Sequence, residues 1–196
     1  MLTRAGLLTI RPLQNTTADL KNLARWLSNP QVLEYYEGRD HPFSLADVQE
    51  KYAPRLLAAD GVQAELVLLS RQPVGYLQYE RLEAETLQEY GLPLEKRIYG
   101  MDLFIGEPSL WGHGLGRQVV TLAGSWLCRE AQAQIITLDP HVNNVRAIRC
   151  YTACGFRQTR RLPAHELHEG QWVDCWLMTK ICEEPHESGV ESTDRR

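Results

Sequence analysis

Two features are scarce in this 196-residue sequence, namely long apolar runs and clustered positive charge. No apolar run approaches the roughly 18 residues that a bilayer-spanning helix needs. Residues 1–6 also lack the apolar region and cleavage site of a secretory signal peptide. Lys and Arg are scattered except at Arg157, Arg160 and Arg161, whereas a nucleic-acid-binding protein presents a clustered basic face. These absences predict a cytoplasmic protein that binds neither a membrane nor nucleic acid.

Cysteine is also sparse, and its pattern predicts neither a disulfide framework nor a metal site. The cysteines are odd in number and form no C-x-x-C pair, which favours free, partly buried thiols. They are Cys128, Cys150, Cys154, Cys175 and Cys182. His165 and His168 lie three residues apart, unlike the H-E-x-x-H pattern of zinc peptidases. We therefore expect no bound metal.

The overall composition is that of an ordinary globular protein, with 43% hydrophobic and 23% charged residues. A chain of this length is sufficient for one domain with a full core. We expect that domain over residues 1–182 and a disordered tail over residues 183–196, which lack apolar periodicity. The formal net charge of −4 suits a cationic ligand, although solubility alone also favours a mildly acidic surface.

Apolar periodicity predicts strands and helices in mixed order. We expect strands at 7–13, 65–70, 74–80, 98–105, 134–138, 156–162 and 171–181, and helices at 17–28, 30–36, 44–59, 117–130 and 143–154. Ser44 and Asp47 are spaced as a capping box at the start of the third helix. The charged segment 81–96 contains Gly91 and Pro93 and is predicted to be a long loop. The order indicates an α/β fold with parallel and antiparallel neighbours in its sheet.

The most informative segment is the glycine-rich turn Gly112-His113-Gly114-Leu115-Gly116, which directly precedes an amphipathic helix. Backbone N–H groups at a helix N-terminus can converge on a diphosphate, and glycines remove the Cβ atoms that would block its approach. The spacing matches neither the G-x-G-x-x-G nor the G-x-x-x-x-G-K-[ST] motif. Alone, such a turn is more often only a connection. A second motif, Asn144-x-x-Ala147-x-x-x-Tyr151-x-x-x-Gly155-Phe156, strengthens the functional interpretation.

These two motifs together resemble those of the GNAT acetyltransferase superfamily, whose loop pattern is Gln/Arg-x-x-Gly-x-Gly/Ala. Trp111 stands at the first position of that pattern in this chain. The resemblance implies a mixed, centrally splayed β-sheet flanked by helices, and acetyl-CoA as co-substrate. It also implies that Asn144 hydrogen-bonds the pantetheine arm and that Tyr151 lies near the thioester sulfur. The residues expected to bind acetyl-CoA are Leu103, Phe104, Ile105, Gly112, His113, Gly114, Leu115, Gly116, Arg117 and Asn144.

Two carboxylates are candidates for the acceptor side of the site. Apolar residues alternate on one face of the predicted strand 98–105 and leave Asp102 on the other face. A carboxylate inside an apolar strand is costly unless it is paired or faces a wet cleft. Asp102 therefore either pairs with an arginine, faces solvent or lies beside an acceptor amine. Asp139 ends the next strand before Pro140, where a role in the turn explains it at least as well.

Four segments carry a narrower resemblance, to the aminoglycoside 6′-N-acetyltransferases. They are residues 99–108, Asp139-Pro140, residues 146–151 and residues 46–52. In that family the aspartate at the position of Asp102 is assigned to amine binding and base catalysis, and the one at Asp139 to holding the cationic drug. Some members carry tryptophans where this chain has Tyr35-Tyr36. The resemblance thus implies a polycationic aminoglycoside as substrate and the tyrosine pair as a platform for a sugar ring.

The reaction expected is direct acetyl transfer to the 6′-amine, which would confer antibiotic resistance, by a monomer or a homodimer. Asp102 is the candidate base for the acceptor ammonium, and Tyr151, by resemblance, the candidate acid for the departing thiolate. Glu34, Glu37 and Glu80 are further acidic residues that could attract a polycation, although each alone is more often a solvated charge.

Two other functions remain open. A GNAT enzyme of this kind could acetylate a protein N-terminus or a siderophore precursor instead of an aminoglycoside. A non-catalytic module could bind acyl-CoA as a sensor, although a sensor has no need for a base and an acid beside the sulfur. Turnover on an aminoglycoside separates both alternatives from the preferred function.

Overall fold

The structure, a computed structural model, describes residues 3–57 and 59–182. It contains an eight-stranded sheet with strand order β1-β2-β3-β4-β5-β6-β8-β7. The strands are β1 (Thr3–Ala5), β2 (Leu8–Pro12), β3 (Gln63–Leu69), β4 (Gln72–Arg81), β5 (Ile98–Ile105), β6 (Ile135–Leu138), β7 (Arg157–His168) and β8 (Gln171–Ile181). Every neighbouring pair is antiparallel except β5 and β6, which are parallel. The mixed α/β sheet expected from the sequence is therefore confirmed.

Six α-helices accompany the sheet in the described residues. They are α1 (Thr17–Trp26), α2 (Pro30–Leu33), α3 (Leu45–Leu56), α4 (Ala84–Tyr90), α5 (Leu115–Arg129) and α6 (Val145–Ala153). The predicted capping box is present at α3, because Ser44 Oγ accepts from the Asp47 amide and the Asp47 carboxylate accepts from the Ser44 amide. No described helix is long and apolar enough to cross a membrane.

The helices cover the two faces of the sheet and enclose two separate apolar clusters. On one face α1 and α3 pack against the sheet through residues such as Trp26, Val48 and Tyr76. On the other face α5 packs through residues such as Val119 and Leu127. Consecutive strand residues point to opposite faces, and Tyr76 and its neighbour Leu77 accordingly belong to different clusters. Both layers are needed to hold β5, which carries the candidate base.

The sheet splays between β5 and β6. On the β4 side, β5 is paired along its length up to Ile105. On the β6 side, pairing covers only Ile98, Tyr99 and Gly100. From residue 101 onward the two strands therefore separate, and the β5 backbone on that side opens into a cleft. The splayed sheet that the resemblance implied is present.

Segment 81–96 differs from its prediction as a long loop, because it contains helix α4. Leu87 and Tyr90 of this helix are buried. The helix ends at Gly91, which has a left-handed backbone conformation with φ +65°. These two buried residues are spaced three apart in an otherwise charged segment, and a single such pair is too little periodicity to predict a helix from sequence. Strand β7 also continues to His168, beyond the predicted end at residue 162.

The expectation that all five cysteines are free thiols is wrong. Cys128 near the end of α5 forms a disulfide with Cys182, which directly follows β8 and is 54 residues away in sequence. Their Cα atoms lie 5.5 Å apart. Sequence spacing could not predict this bond because only the folded sheet brings the two chain segments together. Cys150, Cys154 and Cys175 are free. The predicted disordered tail, residues 183–196, lies outside the described residues.

Candidate active site

The first of two adjoining cavities is a groove of about 670 Å³ between the end of β5, the glycine-rich turn and α6. We call it the glycine-turn groove. It brings together nine of the ten residues expected to bind acetyl-CoA: Leu103, Phe104, Ile105, Gly112, Gly114, Leu115, Gly116, Arg117 and Asn144. The tenth, His113, does not line the groove. Residues chosen from two sequence motifs and one strand therefore lie in one groove, and their binding of acetyl-CoA stays a prediction.

The backbone of the turn explains why glycine occupies two of its positions. Gly112 and Gly114 have φ values of +78° and +80°, in the left-handed region that side chains disfavour. A Cβ atom at either position would meet no protein atom within 4 Å, so the space before them is open to a ligand. Gly114 is the N-cap of α5, whose first amides and positive dipole end face this space. The geometry suits a phosphate-bearing ligand.

Asn144 stands at the start of α6 and caps it. Its Oδ1 atom accepts a hydrogen bond of 3.1 Å from the Ala147 backbone amide. This bond uses the side-chain oxygen and leaves the Nδ2 donors available toward the groove that Asn144 lines. Its predicted bond to a pantetheine arm remains a prediction, and any such bond would be donated by Nδ2.

Trp111, at the position where the family pattern has Gln or Arg, has a structural role. Its indole Nε1 donates a hydrogen bond of 2.8 Å to the Ile105 carbonyl at the end of β5. The Arg146 guanidinium stacks on the indole ring at 3.8 Å from the ring centroid. Both side chains line the glycine-turn groove. A cation is therefore present at this groove, although it comes from α6 and not from position 111.

The second cavity, of about 430 Å³, lies beyond β5 and is lined by several carboxylates. We call it the acidic cavity. Its acidic lining residues are Glu37, Glu80, Asp102, Asp139 and Glu166. Glu34, which the sequence also suggested, does not line it. Glu37 is ion-paired with Lys51. The clustering of like charge favours binding of a polycation.

Asp102 is half-buried on β5 and lines the acidic cavity. It forms no ion pair with an arginine in the described part of the chain, which was one of the alternatives that the sequence left open. Burial raises its pKa to about 7, the charge of Asp139 adds to the increase, and the Leu103 backbone N–H opposes it. Desolvation and a neighbouring like charge both disfavour the ionised carboxylate. A carboxyl with this pKa can accept and release a proton near neutral pH.

Asp139 has the opposite electrostatic environment at the end of β6. It accepts hydrogen bonds from Tyr90 Oη at 2.8 Å and from His165 Nε2 at 3.2 Å. Burial alone would raise its pKa, but these two hydrogen bonds outweigh burial and hold the pKa below its usual value. The hydrogen bond to Asp139 in turn raises the pKa of His165. The two carboxyls thus differ, because Asp139 stays ionised while Asp102 is poised to exchange a proton.

Tyr151 lies where the two cavities meet and lines both. It is buried on α6, and desolvation, followed by the nearby charge of Asp102, raises its pKa well above the usual value. Its hydroxyl therefore remains protonated at neutral pH. Among the residues that the structure describes, none hydrogen-bonds to this hydroxyl. The hydroxyl is consequently available to a ligand at the junction.

The predicted tyrosine pair also lies at this junction, and Tyr35 and Tyr36 line both cavities. Tyr36 is buried and packs edge-on against Phe104 with ring centroids 4.7 Å apart. Tyr35 is half-buried and contacts the His141 ring at 6.1 Å. Tyr36 is thus largely a core residue, while Tyr35 presents more of its ring to the cavities.

Several residues of the acidic cavity were not identified from sequence as part of this site, and four of them lie beside Asp139 or on the hairpin side: Tyr90, His141, His165 and Glu166. They come from α4, the segment after β6, and β7. Tyr90 lay in the segment predicted to be a loop. The other three lie beyond the predicted end of a strand or in a connection, where no local periodicity indicates which way a side chain points.

Comparison with known proteins agrees with this geometry. The profile of the acetyltransferase (GNAT) domain matches residues 15–163. Aminoglycoside N(6')-acetyltransferases type 1 from Klebsiella pneumoniae and Serratia marcescens are each 33% identical over 151 residues, covering 73% of this chain and 71% of theirs. A crystal structure of the aminoglycoside acetyltransferase AAC(6')-Ib with coenzyme A and kanamycin has a TM-score of 0.69 at 26% identity, covering 89% of this chain and 94% of that one. This chain belongs to the GNAT acetyltransferase family.

Proposed function

We propose that this protein transfers the acetyl group of acetyl-CoA directly to the 6′-amine of aminoglycoside antibiotics, and so confers resistance to them. The observation that carries the proposal is the junction of two unlike cavities at Tyr151. One cavity is built from open backbone at a helix N-terminus, and the other is lined by five carboxylates. Relatives that are 33% identical carry the name of this activity.

The glycine-turn groove fits coenzyme A. The open space before Gly112 and Gly114 accommodates a diphosphate, and the first amides of α5 supply its donors. Arg146, stacked on Trp111, adds positive charge at the same groove. The AAC(6')-Ib structure that this fold matches was crystallised with coenzyme A and kanamycin together. When bound here, acetyl-CoA supplies the acetyl thioester that the acceptor amine attacks.

The acidic cavity fits the acceptor. Aminoglycosides carry several ammonium groups, and an ionised Asp139 holds one of them by charge while Tyr35 offers a ring face to a sugar. A hydroxamate precursor lacks this distributed positive charge, and the acidic lining favours it less. The cavity therefore favours a compact polycation over the other amine substrates considered from sequence.

The proton transfers of the reaction follow from the raised pKa values of Asp102 and Tyr151. The acceptor ammonium has no lone pair, so Asp102 removes one proton to create the attacking amine. The C–N bond forms as the C–S bond breaks, and Tyr151 gives its hydroxyl proton to the departing sulfur. The amide nitrogen loses its remaining excess proton, which restores the Tyr151 hydroxyl. One proton, held by Asp102, passes to solvent in each turnover.

The direct test is release of free coenzyme A thiol by purified protein given acetyl-CoA and kanamycin or tobramycin, with the product's acetylated nitrogen located by NMR. We expect turnover and acetylation at the 6′-position. A linear polyamine and a peptide with a free N-terminus serve as comparison substrates. Turnover on the peptide alone would overturn the substrate assignment. Binding of acetyl-CoA without turnover on any amine would support the sensor function instead.

A further inference from the structure

The wall of the acidic cavity next to the β7–β8 hairpin contains a cluster of metal-ligating side chains. His141, which follows β6, forms an isolated bridge with Cys175 of β8. One potential ligand atom from each of His141, Glu166 and Cys175 lies within 4.8 Å of the other two. The His168 ring packs against the His141 ring, with centroids 4.6 Å apart. Three potential ligands therefore lie together at the end of β6 and on both strands of the hairpin, and His168 lies beside them as a candidate fourth.

The hydrogen bonding of His168 fixes its tautomer. His168 Nε2 lies 3.0 Å from the Glu34 backbone carbonyl oxygen. A carbonyl oxygen only accepts, so Nε2 carries the proton, and in the neutral ring Nδ1 carries a lone pair. This is the arrangement in which a histidine binds a metal through one nitrogen while the other donates to a carbonyl.

His168 Nδ1 has nothing to satisfy it. The residue is 8% exposed, and its buried Nδ1 atom has no hydrogen-bond partner within the described part of the chain. The nearest charged atom is Glu166 Oε1, 3.8 Å away. A lone pair that faces a carboxylate at this distance in a buried position is unfavourable unless a proton on Nδ1 or a metal ion lies between them. This unpartnered nitrogen is the second observation that points to a ligand.

The donor set and its burial decide which cation suits the cluster. The exposed fractions of His141 and Cys175 are 6% and 0%, so these groups are held away from bulk water. Two imidazole nitrogens, one carboxylate oxygen and one sulfur suit a borderline ion such as Zn²⁺, whereas Mg²⁺ and Ca²⁺ prefer oxygen alone. In a tetrahedral zinc site such atoms lie about 3.3–3.7 Å apart, so the cluster must contract slightly.

The chain can make this adjustment at Glu166. The pairing of β7 with β8 shifts register between Leu162 and Glu166, so the backbone just before Glu166 is irregular, while Glu166 itself pairs with Val173 of β8. The Glu166 side chain is 43% exposed, which leaves it free to turn. Glu166 is already within 2.9 Å of His141 Nε2. Rotation of this side chain can therefore bring its carboxylate between His141 Nε2 and His168 Nδ1.

We propose that His141, Glu166, His168 and Cys175 form a binding site for one Zn²⁺ ion in the wall of the acidic cavity. Binding replaces the proton of the Cys175 thiol by the metal and neutralises Glu166, which reduces the negative charge that faces the cavity. The site also links the end of β6 to the hairpin and, through His168, to the end of α2. The ligands come from three separate segments of the sequence, so the spacing of His165 and His168 could not reveal it.

Cobalt(II) provides the test, because a thiolate bound to Co²⁺ produces a near-ultraviolet charge-transfer absorption and tetrahedral Co²⁺ absorbs strongly in the visible. Full-length protein is stripped with a chelator, kept anaerobic without thiol reductants and titrated with Co²⁺ and then Zn²⁺. We expect one equivalent of Co²⁺ to give both absorptions and one equivalent of Zn²⁺ to remove them. Absence of the thiolate absorption would overturn the proposal.

Variants assign the ligands. Cys175→Ser should abolish the charge-transfer absorption, and His168→Gln should weaken Zn²⁺ binding on the order of 100-fold, at or above the 10- to 100-fold typical of outer-shell changes. Cys154→Ser removes another buried free thiol and should leave both readouts unchanged. Circular dichroism checks that each variant is folded, and His168→Gln can retain a bond to the Glu34 carbonyl. Unchanged Zn²⁺ affinity in His168→Gln, or an unchanged absorption in Cys175→Ser, would contradict the site.

Discussion

The glycine-turn groove and the acidic cavity meet at Tyr151 but are built in opposite ways. The groove is formed mostly by two short contiguous segments, and its selectivity lies in backbone conformation at Gly112 and Gly114. The acidic cavity is formed by side chains from many separate segments, and its character lies in charge. A ligand that many enzymes share can be bound by backbone groups, whereas an acceptor that differs from one enzyme to the next must be recognised by side chains. The two regions should therefore respond differently to substitution.

The largest effect is expected from Asp102→Asn, which keeps the shape of the acidic cavity but removes the proposed base. We expect kcat to fall about 10²- to 10⁴-fold, the range of general base catalysis. The KM for acetyl-CoA should stay within about twofold because Asp102 does not line the glycine-turn groove. Steady-state kinetics with both substrates varied measures the two constants. Equal losses in kcat and in affinity for acetyl-CoA would contradict the expectation that the two cavities respond differently to this substitution.

Tyr151→Phe should have the next largest effect, because it removes the proposed proton donor at the junction while the ring still packs. We expect kcat to fall about 10- to 100-fold, the low end of general acid catalysis. Tyr99→Phe is the matched control, since Tyr99 lies on β5 but lines neither cavity. A substrate with a more acidic thiol leaving group should rescue Tyr151→Phe. A rate equal to that of the parent enzyme would assign Tyr151 to packing.

The pH dependence should report Asp102, whose pKa is raised to about 7 by burial and by the charge of Asp139. Because the base must be ionised, kcat/KM should rise as pH increases through about 7 and should be about tenfold lower at pH 6 than on the plateau. Affinity for acetyl-CoA, measured by calorimetry over the same range, should change little. An acidic limb that persists unchanged in Asp102→Asn would assign the titration to another group.

Gly114→Ala should have the smallest effect, and this effect should be limited to ligand binding in the glycine-turn groove. A side chain at φ +80° costs about 1–2 kcal/mol of stability. Its Cβ would also occupy the open space of the groove, so the KM for acetyl-CoA should rise about fivefold with the aminoglycoside KM unchanged. Gly61→Ala is the control, because Gly61 has φ +78° and is equally open but lies outside both cavities. Both variants should lose similar stability in thermal unfolding. A similar KM change in Gly61→Ala would show that strain alone explains the result.

The contrast between the glycine-turn groove and the acidic cavity also explains which site residues could be predicted from the sequence. Gly112, Gly114, Asn144 and Tyr151 belong to local motifs whose spacing alone indicates a turn followed by helices, and all four line the groove. Alternation along β5 placed Asp102 on the face away from its apolar neighbours, and the structure puts it in the acidic cavity. Neither inference required knowledge of distant contacts.

The rest of the acidic cavity depends on long-range pairing. Tyr90 reaches Asp139 across 49 residues of sequence, and His165 reaches it across 26. Those hydrogen bonds hold the pKa of Asp139 below its usual value, whereas burial and the charge of Asp139 raise the pKa of Asp102 to about 7, so the difference between the two carboxyls is a property of the fold. No pattern within a single segment carries that information. The Cys128–Cys182 bond escaped prediction for the same reason.

That bond encloses residues of both cavities, including Asn144 of the glycine-turn groove. It closes a covalent ring of chain from Cys128 to Cys182 that contains β6, α6, β7 and β8. Asp139, Tyr151 and His165 are inside this ring, whereas the glycine-rich turn is outside it. By loop-closure entropy a ring of this length stabilises the fold by about 4 kcal/mol. Oxidation of this cysteine pair thus stabilises the whole fold, and a reducing environment would lower the free energy of unfolding by a similar amount.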